Sequence, residues 1–84
     1  MSFALAKVKS IIVEQFHVHE TTVNEETMFS AHLGGDDLDR IDTVLEVERA
    51  FRITITDEEM QEFSTIGDLV RLVEAKQPSM QAAE

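Results

Sequence analysis

The sequence predicts an all-α fold, a four-helix bundle with a long first loop and a short third helix. Three observations carry this expectation. Apolar residues recur at three- and four-residue steps over separate stretches. An Asp or Thr followed three residues later by an acid stands before each of the last three stretches, the pattern of a capping box at a helix start. Only residues 52–56, "RITIT", alternate as a strand would, and one isolated strand has no partner in this chain.

The first sixteen residues place Leu5, Val8, Ile11, Ile12 and Phe16 on one side of a helix, with Lys7, Lys9, Ser10 and Glu14 mostly elsewhere and Ser2 as a possible cap. Residues 17–35 form a long connection ending in Gly34-Gly35, which Val18, Val23, Met28, Phe29 and Leu33 are expected to anchor. A second helix should run from Asp37 to Phe51. Asp36 is its N-cap, Asp39 completes the box, and Leu38, Ile41, Val44, Leu45 and Val47 form its apolar side. "RITIT" reads as an extended connector. Thr56 to Glu59 starts a short third helix carrying Met60 and Phe63. Thr65 to Asp68 starts a fourth that buries Ile66, Leu69, Val70 and Val73. Residues 1–76 are expected to form the single domain, and 77–84, with Pro78, a flexible tail.

A chain of 84 residues without cysteine has no disulfide framework, thiolate nucleophile or cysteine–zinc site, so its stability must come from packed apolar side chains. The charge is lopsided, with 17 acids against seven Lys and Arg. Residues 36–62 hold ten of those acids and three arginines. Such a surface repels nucleic acid and anionic lipid and attracts basic patches on other proteins. Lys7 and Lys9 interrupt the apolar opening before any long apolar run develops, which makes the cytoplasm the expected setting.

Several chemical readings fall away on spacing. Asp37, Asp39, Asp42 and Glu48 partly imitate a calcium loop, but its sixth position is Asp42 where a turning glycine is needed. His17, His19 and His32 do not form a metal-ligand spacing. Ser30 and His32 lack a nucleophile elbow, and Gly34-Gly35 lacks the lysine of a phosphate loop. Carboxylates are plentiful, but acid–base chemistry needs a pocket and a perturbed pKa. Neither an enzyme nor a metal site is read here.

"LGGDDLDRIDTVLEVERAF" (33–51) resembles the second-helix signature of acyl carrier proteins, Leu-Gly-x-Asp-Ser-Leu-Asp followed by Glu-x-x-Phe. "VKSIIVEQFHV" is similar to that family's first helix, and "ITITDEEMQEFSTIGDLVRLV" to its third and fourth. The resemblance covers roughly residues 3–75. It implies a carrier for fatty-acid or related lipid or polyketide synthesis. The family's serine carries a 4'-phosphopantetheine arm, installed by a phosphopantetheinyl transferase, whose thiol holds an acyl chain.

Carried over residue by residue, Asp36 matches the family's first aspartate, Leu38 its leucine and Asp39 its second aspartate. Asp37 falls on the serine. A carboxylate offers no hydroxyl to attack the pyrophosphate of coenzyme A, so this form should hold no cofactor; a native serine at residue 37 would imply the arm. The aspartate fits either an engineered replacement or a divergent member of the family. Arg40, Arg49, Thr43 and Thr56 are further departures from the common pattern.

The resemblance also implies that acids dock onto basic patches of acyl-synthesis or acyl-transfer enzymes, here Asp36, Asp39, Asp42, Glu46, Glu48, Glu58 and Glu59. It places an acyl chain near Leu38, Ile41, Leu45, Met60, Phe63 and Ile66, although the large side chains point to a filled core instead. A monomer is expected. The other reading is an acidic interaction module that keeps the docking face and has lost its cargo.

Overall fold

The computed structural model describes residues 3–76, so the possible cap at Ser2 and the tail expected over 77–84 lie outside the described residues. The chain runs through α1 (Phe3–Phe16), a 3-10 turn (Glu20–Thr22), α2 (Asp37–Phe51), α3 (Asp57–Glu62) and α4 (Ile66–Ala75). The four helices are those expected from sequence, and α2 begins and ends at the expected residues. Residues 53–56 carry no regular structure, as expected of a connector.

Capping explains why the starts were legible. In α2, α3 and α4 the cap side chain accepts from the backbone N–H three residues on, while that residue's carboxylate accepts from the cap's own N–H. Each box satisfies amides that a helix start otherwise leaves unpaired. Arg52 ends α2 in a left-handed conformation, φ 57°, and its N–H donates to the Glu48 carbonyl.

One core runs through the molecule, built on Val8 and Ile12 of α1, Val44, Val47 and Phe51 of α2, Phe63, and Ile66, Leu69, Val70 and Val73 of α4. Its aromatic spine is Phe16, Phe29 and Phe63, stacked edge-to-face at centroid separations of 5.4 and 5.5 Å. Two expectations need correction. Met28 is 40% exposed and is no anchor. On α2 the buried stripe is Thr43, Val44, Val47 and Phe51, whereas Leu38, Ile41 and Leu45 are 71%, 42% and 45% exposed. Two apolar stripes had merged into one in the sequence, because the inner stripe is completed by polar residues, Arg40 and Thr43.

The long first loop is stapled rather than loose. Thr27, 4% exposed, donates through its hydroxyl to the Thr22 carbonyl and accepts from the Asn24 N–H. Phe29 N–H then donates to Ser64 O, while Ile66 and Gly67, at the start of α4, donate to Thr27 O and Glu25 O, each at 2.9 Å. The loop thereby pairs the free amides of another helix's first turn. Val23 and Phe29 are fully buried beneath it, and Val18 and Leu33 pack partly against the core.

Candidate functional site

The approach to α2 depends on two glycines. Gly34 turns the chain at φ 72°, a conformation that costs a residue with a Cβ. Gly35 follows against Phe29, where a Cβ would overlap three atoms of the ring. Asp36 then caps the helix. Its carboxylate accepts the Asp39 N–H at 2.9 Å, and the Asp39 carboxylate accepts the Asp36 N–H at 3.1 Å. Asp37 is the first helical residue and is exposed, and its carboxylate has no hydrogen bond or ion pair among the described residues. The free N–H groups and dipole of the helix start favour a negative charge there, offset in part by Asp36 and Asp39.

Behind Asp37, one turn along, Arg40 points inward. Its Nη1 donates to the carbonyls of Met60 at 2.9 Å and Phe63 at 2.7 Å. The guanidinium lies 4.2 Å from the Phe63 ring centroid and 5.2 Å from that of Phe29. Thr43, fully buried, donates its hydroxyl to Gln15 Oε1, and Gln15 Nε2 donates to the Asp39 carbonyl at 3.0 Å. Sequence reasoning missed these contacts. The available signal was spacing: Arg40 stands four, seven and eleven residues before Val44, Val47 and Phe51, on their side of the helix.

The expected docking acids fall into two groups. Asp42 and Glu58 are exposed, with no hydrogen bond or ion pair among the described residues, and Glu46 makes only an exposed 3.4 Å contact with Arg49. The others are engaged within the fold. Asp36 and Asp39 hold each other's amides, and Glu48 Oε2 accepts the Ile55 N–H at 2.7 Å, fastening the connector. Glu59 accepts the Thr56 N–H and pairs with Lys76 at 2.9 Å. The Thr56 backbone, then Lys76, hold its carboxyl below its ordinary pKa. Beside Asp42 and Glu46 on α2 runs the exposed stripe of Leu38, Ile41 and Leu45. Apolar side chains bordered by acids suit a surface that meets another protein.

The remaining polar candidates have local roles. His19 Nδ1 accepts the Thr21 N–H, and His32 Nδ1 accepts the Met28 N–H at 2.8 Å. Asp37, Asp39, Asp42 and Glu48 lie along one continuous helix. No group of three or more potential metal ligands occurs among the described residues, and none of their helices is long and apolar enough to cross a membrane.

A family model described as a phosphopantetheine attachment site matches residues 6–73. An acyl carrier protein from Wolinella succinogenes is 42% identical over 67 residues, spanning 80% of this chain and 88% of that protein. The chain belongs to the acyl carrier protein family. Solved acyl carrier proteins share the fold. That of Thermotoga maritima is 34% identical with a TM-score of 0.76, over 90% of this chain and 88% of that one. That of Enterococcus faecalis is 27% identical with a TM-score of 0.75, over 87% and 92%. Acyl carrier proteins are carriers rather than enzymes, and they work with acyl-synthesis and acyl-transfer enzymes and a phosphopantetheinyl transferase.

Proposed function

We propose that this chain is an acyl carrier protein whose tether position, residue 37, is filled by aspartate, so that the form described takes no arm. The observation that carries this is Asp37 itself, exposed as the first residue of α2, where a hydroxyl would be open to a transferase. The residues present do not fit covalent attachment of phosphopantetheine. The arm joins through a phosphodiester to a side-chain oxygen, and at residue 37 that oxygen belongs to a carboxylate. Thr43 is no substitute, being fully buried with its hydroxyl given to Gln15. Ser30 lies back in the preceding turn, where its carbonyl accepts the Gly34 N–H.

Asp37 also supplies one negative charge at the helix start, as a phosphodiester would. This supports a role as a charge mimic of the modified form. In that role Asp37→Asn weakens binding to a partner enzyme, and undiminished binding by that variant removes the idea.

Docking uses the acids Asp36, Asp39, Asp42, Glu46, Glu48, Glu58 and Glu59 around Leu38, Ile41 and Leu45, with a basic patch on the enzyme as their counterpart. Asp42, Glu46 and Glu58 are the acids best placed to be given to a partner. Each exposed ion pair contributes only about 0–1 kcal/mol, so the acids act mainly on encounter rate and orientation. The setting is the cytoplasm and the acting form a monomer.

A second reading is favoured by the same apolar stripe, which serves a partner whether or not a cargo is present: an interaction module without cargo. Incubating the chain and its Asp37→Ser variant with coenzyme A and a phosphopantetheinyl transferase separates the two by mass. A gain of the arm by the serine variant alone supports the carrier. A gain by neither makes the interaction module the better account.

A further inference from the structure

Any apolar cargo tethered at residue 37 must either enter the bundle or stay outside it. One way in would be the seam between α2 and α3, which the Arg40 side chain bridges. Residues 37 and 40 are three apart on a helix and share a side, so a tether at the first begins directly above the second. The guanidinium is not a loose gatepost. It donates two hydrogen bonds to the carbonyls of Met60 and Phe63, at the end of α3 where helix carbonyls lack intrahelical partners. It also stacks over Phe63 and Phe29.

We propose that Arg40 closes the α2–α3 seam, so that an apolar cargo tethered at residue 37, in a variant such as Asp37→Ser that accepts one, lies outside the bundle, and that Arg40 thereby sets how such a cargo is presented. The proposal rests on residue 37 being the tether position.

The physical reason is a poor exchange. To enter, an alkyl chain must displace a half-buried cation from two carbonyls and two ring faces, and methylenes return none of those hydrogen bonds. Hydrogen bonds to charged groups are stronger than those between neutral groups, and the freed carbonyls would face hydrocarbon. The rings that the guanidinium faces, Phe29 and Phe63, are themselves at most 3% exposed and belong to the core. On the outside, Ile41 and Leu45 offer apolar surface within reach of the same tether. A cargo lying there is open to a partner enzyme without first being drawn from the core. It also occupies part of the surface on which that enzyme docks.

The absence of cysteine permits a test that bypasses the transferase. Asp37→Cys supplies the sole thiol, which takes a maleimide carrying a flexible spacer that ends in either a twelve-carbon alkyl chain or a hydroxyl. With Arg40 present, the Phe29 and Phe63 ring resonances should be the same in both conjugates, and the alkyl chain should raise the unfolding temperature by less than it does without Arg40. In an Arg40→Ala background, the alkyl conjugate should unfold above the hydroxyl conjugate by about 4–8 °C, the shift expected when a chain of this size gains modest stability. A matching alkyl-dependent rise with Arg40 in place overturns the proposal, and so do moved Phe29 and Phe63 resonances. Absence of any rise once Arg40 is removed overturns it as well. The ring resonances are read with Arg40 intact, so they decide the matter even if Arg40→Ala does not fold. Failure of Asp37→Ser to be primed leaves these outcomes unaffected and bears only on the carrier reading.

Discussion

Thr43 and Gln15 form a polar seam between α1 and α2 in the middle of an otherwise apolar contact. A buried hydroxyl is acceptable there because both partners are satisfied; no buried side-chain polar atom among the described residues lacks a hydrogen bond. Removing one partner is costlier than removing both. Thr43→Val leaves Gln15 Oε1 without its donor and should cost about 1–3 kcal/mol, toward the lower end because Gln15 is only half-buried. Replacing both residues by leucine should recover most of that loss. Urea unfolding followed by far-ultraviolet circular dichroism checks it, since the chain has neither Trp nor Tyr. At this scale the sequence was least legible. Arg40 and Thr43 look like surface residues by type, and only the three-dimensional stripe they share with Val44 and Val47 reveals that both face inward.

The helices themselves were legible because their starts are written locally, as a cap and an acid three residues apart. The box that opens α4 makes this measurable. Asp68 accepts the N–H groups of Ser64 and Thr65 and pairs with Arg71 at 2.8 Å, and these contacts, the backbone ones foremost, lower its pKa to about 2. A carboxyl depressed in the folded state binds fewer protons there than when unfolded. Its contribution is therefore complete above the unfolded value near 3.8 and is lost as pH falls through about 2. Stability measured between pH 5 and pH 2 should fall less steeply in Asp68→Asn than in the parent chain. The connections were less legible than the helices. No apolar period announces the 3-10 turn at Glu20–Thr22, and the pairing of residues 25–29 with 64–67 joins positions far apart in sequence.

In the docking proposed above, charge and apolar surface divide the work of recognition. Exposed acids act at a distance and are screened by salt, whereas Leu38 acts only on contact. With a cognate enzyme, Asp42→Asn and Glu58→Gln should slow association, with the effect shrinking as salt rises. Leu38→Ala should instead speed dissociation at any salt concentration. Glu48→Ala should mainly lower the melting temperature, because it removes the acceptor that holds the Ile55 amide. Stopped-flow binding at two salt concentrations, beside a thermal melt, distinguishes these outcomes. The acidic bias of this region was plain from composition. Which acids are available to a partner was not, since an engaged and an idle carboxylate read alike in a sequence. The stapled first loop carries one more consequence, for the order of events during synthesis. Its carbonyls of Glu25 and Thr27 await the amides of Gly67 and Ile66, and its Phe29 amide awaits Ser64. A segment that leaves the ribosome early must therefore remain unsettled until nearly the whole domain has emerged.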